Sequence, residues 1–166
     1  MVWEYRAATM DDLERIWAKN IQANPGDSRW AAWRDEFISN NLCGAARTYV
    51  VLCHGEPVGE GTLLFSPKCN AIAGRTMLAE GAAVANINAL RIEKAHEGRG
   101  HISALVRLME AQAAEMGFTR LTIGVEAGEK RNQAIYTHWG YDRLVLTAKE
   151  DGETVLYFEK ALRNSV

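Results

Sequence analysis

Two glycines, Gly98 and Gly100, flank an arginine between a strand-like run and an amphipathic one in the segment Leu90–Leu105, which reads LRIEKAHEGRGHISAL. Glycine adopts positive φ without a Cβ penalty and lets the backbone come close to a ligand. The first turn of a helix leaves N–H groups without intrahelical acceptors, and its dipole favours negative charge, so this segment is suited to binding an anion such as a phosphate. Arg99 adds positive charge beside it. A strand followed by a Gly-x-Gly turn also ends many β-α units that bind nothing, and the segment alone leaves both readings open. It does exclude some chemistry. No Lys-Ser/Thr follows the glycines as a P-loop requires, and Ser103 stands where the third glycine of a dinucleotide fingerprint would fall.

The surrounding pattern supplies elements to hold that segment. Val2 to Ala7 has a strand's composition, and Thr9 to Asp12 supplies a helix cap with acidic residues in the first turn. Leu13, Ile16, Trp17 and Ile21 recur at helical spacing until the turn Asn24 to Asp27. A second helix is expected over Ser28 to Asn40, with Trp30, Trp33 and Phe37 on one face. Thr48 to Cys53 and Val58 to Phe65, joined by His54 to Pro57, read as a β-hairpin. Ser66 to Arg75 mixes Pro, Asn and Gly and is expected to be a surface connection. A strand is expected over Ala83 to Glu93. Ile102, Leu105, Leu108 and Met109 then mark a helix that stops at Gly117. Thr119 to Val125 reads as a strand, Glu129 to Trp139 as a helix stopped by Gly140, and Tyr141 to Thr147 with Thr154 to Glu159 as two strands around an acidic turn. The order β-α-α-β-β-β-α-β-α-β-β predicts a mixed α/β fold with a parallel pair in its second half.

The 166 residues are enough for one domain with a substantial core, and none of them forms a repeat or an interdomain linker, so a single domain spanning 1–166 is expected. A 48% hydrophobic and 24% charged composition argues against disorder. A net charge of −2 lacks the basic excess that would attract nucleic acid or an anionic membrane. No run approaches the ~18 apolar residues that span a bilayer. Charge appears within the first residues with no apolar stretch behind it, so a cytoplasmic location is expected. Cys43, Cys53 and Cys69 lack C-x-x-C spacing and read as reduced thiols. His96 and His101 flank the glycines without a third ligand at metal-binding spacing, so no metal is expected.

Leu90-x-Ile92-x-Lys94-x-x-Glu97-Gly98-x-Gly100-x-Ile102 resembles the motif L-x-V-x-P-x-x-[Q/R]-G-x-G-x-[G/A] of the GNAT acetyltransferases. Ala134 to Tyr141, AIYTHWGY, resembles the same family's A-x-x-x-Y-x-x-x-G-[F/Y] ending. The two stand in the family's order. Lys94, Glu97 and Ile102 depart from the pattern, and Glu97, a carboxylate, is expected to face solvent while backbone amides do the binding. The resemblance implies a GNAT fold of about seven strands and four helices, acetyl-CoA as cosubstrate without metal, and transfer of the acetyl group to a primary amine by direct attack in a ternary complex. It also implies site residues. The backbone of Leu90, Arg91 and Ile92 would pair with the pantetheine amides, and Glu97, Gly98, Arg99, Gly100, His101, Ile102 and Ser103 would hold the pyrophosphate. Tyr136 would protonate the departing thiolate, and Asn132, one helical turn before it, would reach the pantetheine arm. A homodimer is common among similar proteins.

The group that takes the amine's proton is less determined. In this family the task falls to a carboxylate on the fourth strand or to a water chain. Alternation places Asn86, Asn88, Leu90 and Ile92 on one strand face and Ala85, Ala89, Arg91 and Glu93 on the other. Asn88 or Asn86 could orient a water or bind the acceptor, or simply bond to neighbouring loops; Glu80 and Glu60 are the candidate carboxylates. Trp30 and Trp33 could wall an acceptor pocket, with packing on the sheet as the plainer duty. The alternative function is a non-catalytic acyl-CoA-binding or sensing domain with the same fold, and a third is an interaction module in which Gly98 to Gly100 is only a turn.

Overall fold

A computed structural model describes residues 2–163; Met1 and residues 164–166, which the one-domain reading includes, lie outside the described residues. The elements in chain order are β1 (Trp3–Ala7), α1 (Met10–Ala23), α2 (Arg29–Cys43), β2 (Ala46–Cys53), β3 (Glu56–Leu64), β4 (Val84–Ile92), α3 (His101–Glu115), β5 (Arg120–Glu126), α4 (Lys130–His138), β6 (Arg143–Glu150) and β7 (Glu153–Ala161). The strands make one seven-stranded sheet in the order β1-β2-β3-β4-β5-β7-β6. It is a mixed sheet, parallel at β4 and β5 and antiparallel at β1/β2, β5/β7 and β6/β7. The chain divides into two compact units, residues 1–63 with 89–109 and residues 64–88 with 110–166.

In the first unit, β1 pairs with β2 from Trp3↔Cys53 to Ala7↔Tyr49. The Thr9 side chain accepts from the Asp12 amide at 3.1 Å while the Asp12 carboxylate accepts from the Thr9 amide at 2.8 Å, a reciprocal capping box that starts α1. Arg6 of β1 donates to the same carboxylate. Burial alone would raise the Asp12 pKa, but the Arg6 and Thr9 donors outweigh it and hold the carboxyl below its ordinary value. Leu13, Ile16 and Trp17 form the buried stripe of α1, and the Trp17 ring meets Phe37 of α2 at 5.3 Å. His54 and Gly55 both take positive φ in the two-residue turn between β2 and β3, which matches the twist of a hairpin. On β3 a Cβ at Gly61 would lie 2.9 Å from Leu90 and from Met109, so glycine there lets β4 and α3 close on the strand.

In the second unit, Val84 to Ile87 of β4 pair in parallel with Arg120 to Ile123 of β5. The expected surface connection at Ser66–Arg75 is instead wound into successive turns that bury Cys69 and Ile72, and Leu78 and Ala79 beyond it are buried too. Arg75 fixes this segment. It donates to the carbonyls of Ile72 and Ala71 and lies 5.2 Å from the Tyr157 ring centre. The Pro, Asn and Gly content correctly signals turns, but turns around apolar side chains fold inward. At the end of α3, Phe118 N–H reaches Ala113 O at 3.0 Å around Gly117, a Schellman closure. Gly140 closes α4 in the same way, with Tyr141 N–H on Tyr136 O at 2.9 Å. β6 and β7 meet at a two-residue turn, Asp151 and Gly152, both at positive φ, and their ladder shifts register between Leu144 and Leu146, a β-bulge.

Candidate active site

Ala89 interrupts the regular course of β4. Its φ of 53° lies in the left-handed region, which alanine seldom adopts, so the face alternation counted from Asn86 to Ile92 does not run unbroken through it. In the first unit the residues after it separate cleanly. Leu90 and Ile92 send their side chains to the positions over Gly61 and Gly59, whereas Arg91 turns the other way, to Glu60 and the indoles of Trp17 and Trp30.

A single 3-10 turn, Lys94–His96, then leads to the glycine loop. Gly98 and Gly100 have φ of 74° and 80°, and α3 begins at His101. The first amide of this stretch to find a backbone acceptor is that of Ala104, on Gly100 O at 3.0 Å. Among the described residues, the amides from Gly98 through Ser103 donate to no protein group. Glu97 and Arg99 are exposed, as the solvent-facing reading of Glu97 requires. Unpaired amides, the positive end of a helix dipole and Arg99 stand together here, an arrangement suited to an anion.

His101 is the part of this loop that sequence reasoning missed as a side chain. It is 6% exposed, its ring stacks on Trp3 at 4.0 Å, and its Nδ1 lies 2.7 Å from the Tyr5 hydroxyl. Burial, helped by the charges of His96 and Arg99, pushes its pKa below 6.5. Nothing in the local sequence signals this, since Trp3 and Tyr5 lie almost a hundred residues earlier.

The remaining candidates lie in the second unit. Asn86 is buried and donates to Thr122 Oγ1 at 3.0 Å, Thr122 in turn donates to Leu78 O at 2.7 Å, and Asn88 donates to Asn86 Oδ1 at 3.3 Å. The amides are thus paired chiefly with a neighbouring strand rather than with loops. Glu80 is exposed, precedes β4, and bridges Val84 through its backbone alone. Tyr136 is half-buried on α4, 5.7 Å from the Trp139 ring, and its hydroxyl makes no hydrogen bond among the described residues. Burial first, then the Glu129 carboxylate, raises its pKa above 10.0. Asn132 is exposed on the preceding turn. Tyr141 is buried and donates to Glu110 at 2.7 Å, with Lys160 on the same carboxylate at 3.0 Å.

Glycine cradle and tyrosine-bearing helix find a common account in the family model described as acetyltransferase (GNAT) family, which matches residues 6–141. The chain belongs to the GNAT family. No curated protein matches it. Several solved structures share the GNAT fold. An N-acetyltransferase from Staphylococcus aureus Mu50 is 15% identical, with 98% of this chain and 100% of that one covered and a TM-score of 0.73. RimL, the ribosomal L7/L12 alpha-N-protein acetyltransferase, in complex with coenzyme A, is 15% identical over 99% and 97% with a TM-score of 0.69. Arabidopsis thaliana NAA60 in complex with a bisubstrate analogue is 16% identical over 99% and 100% with a TM-score of 0.67. Among the described residues of this GNAT chain, no helix is long and apolar enough to cross a membrane, and no group of His, Cys, Asp and Glu is placed to hold a metal.

Proposed function

We propose that this GNAT protein is an N-acetyltransferase that moves an acetyl group from acetyl-CoA to a primary amine by direct attack in a ternary complex, working as one functional domain. The observation that carries the reading is the run of amides from Gly98 through Ser103 that, among the described residues, donate to nothing. Gly98 to Gly100 are exposed and the helix start behind them is open, so these donors are accessible to a ligand, and a helix start left open beside an arginine suits a pyrophosphate. Acetyl-CoA, when bound, supplies the activated thioester carbonyl.

The chain's own residues do the rest. The backbone of Leu90, Arg91 and Ile92 offers strand-like hydrogen bonds to an amide-bearing arm, and Glu97 to Ser103 take the charged end through their amides. By the family resemblance, Asn132 would reach the pantetheine arm. Tyr136 keeps its proton at neutral pH because burial and Glu129 raise its pKa, so its hydroxyl is in the acid form needed to protonate a departing thiolate. Asn88 orients a water toward the attacking amine, and Glu80 receives the proton through it. A cytoplasmic homodimer is part of the same reading.

The test is a thermal unfolding scan with and without acetyl-CoA. Ligand at ~100 times its Kd adds roughly 2.7 kcal/mol, a rise of about 5 to 10 °C for a chain this long. No shift at millimolar ligand would sink the cofactor reading.

A further inference from the structure

Glu60 of β3 is 1% exposed, and a buried carboxylate needs partners. Asn20 Nδ2 supplies one at 2.8 Å. Arg91 supplies the others from Nε at 3.4 Å and Nη2 at 3.3 Å, both long for a charge-assisted pair, which closes to ~2.7–2.9 Å when tight. The guanidinium centre lies 5.1 Å from the ring centres of both Trp17 and Trp30, and its side chain remains 31% exposed. Its Nη1 donates to nothing among the described residues. The Trp17 indole N–H, in the ring beneath it, is buried without an acceptor. With its Nε/Nη2 edge on Glu60 and its planar group over two indole rings, the guanidinium still has Nη1 to offer, so it can take a second carboxylate on that free edge.

We propose that Arg91 holds the carboxylate of the acceptor, which makes the substrate an amino acid rather than a polyamine or a simple amine. This rests on the acetyltransferase reading above, in which the backbone of Leu90 to Ile92 lies along the cosubstrate. Leu90 and Ile92 pack toward Gly61 and Gly59, so Arg91 is the one side chain of that strand segment that projects to the α1 and α2 side. The Glu60–Arg91 pair is already neutral, which favours a singly charged carboxylate over a dianion. An oligocation has only donors to offer and cannot satisfy the unused guanidinium N–H groups, whereas a carboxylate accepts from them.

The experiment compares L-amino acids with their carboxamides as acceptors, following free-thiol release from acetyl-CoA, with calorimetric titration of coenzyme A and of the same amino acids into the coenzyme A-loaded protein. A site built to bind a substrate group rejects the analogue lacking it strongly, so the acid should exceed its amide in kcat/KM on the order of 10²-fold or more. Arg91→Lys should erase most of that preference through KM and weaken amino-acid binding, with coenzyme A affinity measured alongside so that the loss can be assigned to the acceptor. Arg91→Gln should abolish the preference. Equal use of acids and amides, a preference that survives in Arg91→Gln, or no amino acid bound or used by protein that does bind coenzyme A would each overturn the proposal. Failure of the wild-type protein to bind coenzyme A would instead overturn the cofactor reading beneath it, and the Arg91 proposal with it.

Discussion

The Tyr5 hydroxyl sits 2.7 Å from His101 Nδ1, joining the edge strand β1 to the first residue of α3, where the anion cradle turns into helix. Trp3 covers the same imidazole at 4.0 Å, so the ring is held from the strand side by both residues. His101 Nε2 is buried with no hydrogen-bond partner among the described residues, which favours the neutral ring.

That arrangement makes stability pH-dependent with a definite sign. The folded-state pKa of His101 lies below the 6.5 of a free imidazole, so on acidification the unfolded chain takes up the proton first. The stabilising contribution is fully present above pH 6.5 and is lost as pH falls from there through the folded pKa. Urea denaturation at several pH values between 7.5 and 5 should show that decline, and His101→Gln should flatten it. At pH 7.5 the same substitution should cost roughly 1 kcal/mol from the broken Tyr5 contact. A slope unchanged in His101→Gln would refute the assignment.

Tyr136→Phe should lower kcat by about 10²-fold or more, the usual weight of a positioned general acid, while calorimetry finds coenzyme A affinity unaltered. Because burial and Glu129 raise the phenol's pKa above 10.0, the acid form persists through neutral pH and no alkaline loss of rate below about pH 10 should trace to this residue. Glu129→Gln should move that limb toward lower pH. Unaltered kcat in Tyr136→Phe would leave the proton to another donor.

Two glycines of β3 should respond differently to alanine. A Cβ at Gly59 would fall 2.7 Å from Ile92 Cδ1 and 3.0 Å from the Arg91 carbonyl, which is backbone and cannot swing aside. At Gly61 the obstacles are the ends of Leu90 and Met109, both 2.9 Å away and both flexible. Gly59→Ala should therefore lose about 1–3 kcal/mol by denaturant titration. Gly61→Ala should lose clearly less, and the reverse ranking would contradict the packing described.

Tyr141 belongs to the family's second motif but anchors rather than reacts. Burial and the Glu110 carboxylate drive its pKa far above the ordinary phenol range, and its hydroxyl is committed to Glu110. Tyr141→Phe leaves Glu110 with Lys160 alone and should cost about 1.5–3 kcal/mol of stability with kcat preserved. A large fall in kcat at unchanged stability would give it a chemical role.

What was legible in advance was local. Thr9 and Asp12 lie within one helical turn, Gly117 and Gly140 close the helices they follow, and His54-Gly55 and Asp151-Gly152 turn their hairpins, so each can be read from its neighbours. The element order and the positive-φ glycines before α3 follow from such signals. The rest depends on contacts made across long stretches of chain. Nothing near Ala89 marks it for positive φ, nothing in Ser66–Arg75 says that Ile72 is enclosed, and the gathering of Glu60, Arg91, Trp17 and Trp30 joins three separate elements. Trp30 packs against Trp17 and Trp33 and also lies 5.1 Å from the Arg91 guanidinium, a contact that its own neighbours in sequence do not announce.

The bulge in β6 bears on how the protein behaves when concentrated. β6 ends the sheet, so its outer row of peptide groups is a template on which another chain could add a strand. The register shift between Leu144 and Leu146 bends that row, and exposed Arg143 and Lys149 put charge near both ends of it. Leu144, though exposed, therefore sits on an edge too irregular for flat strand-on-strand growth. The irregularity that spoils the ladder thus also works against flat strand addition at this edge.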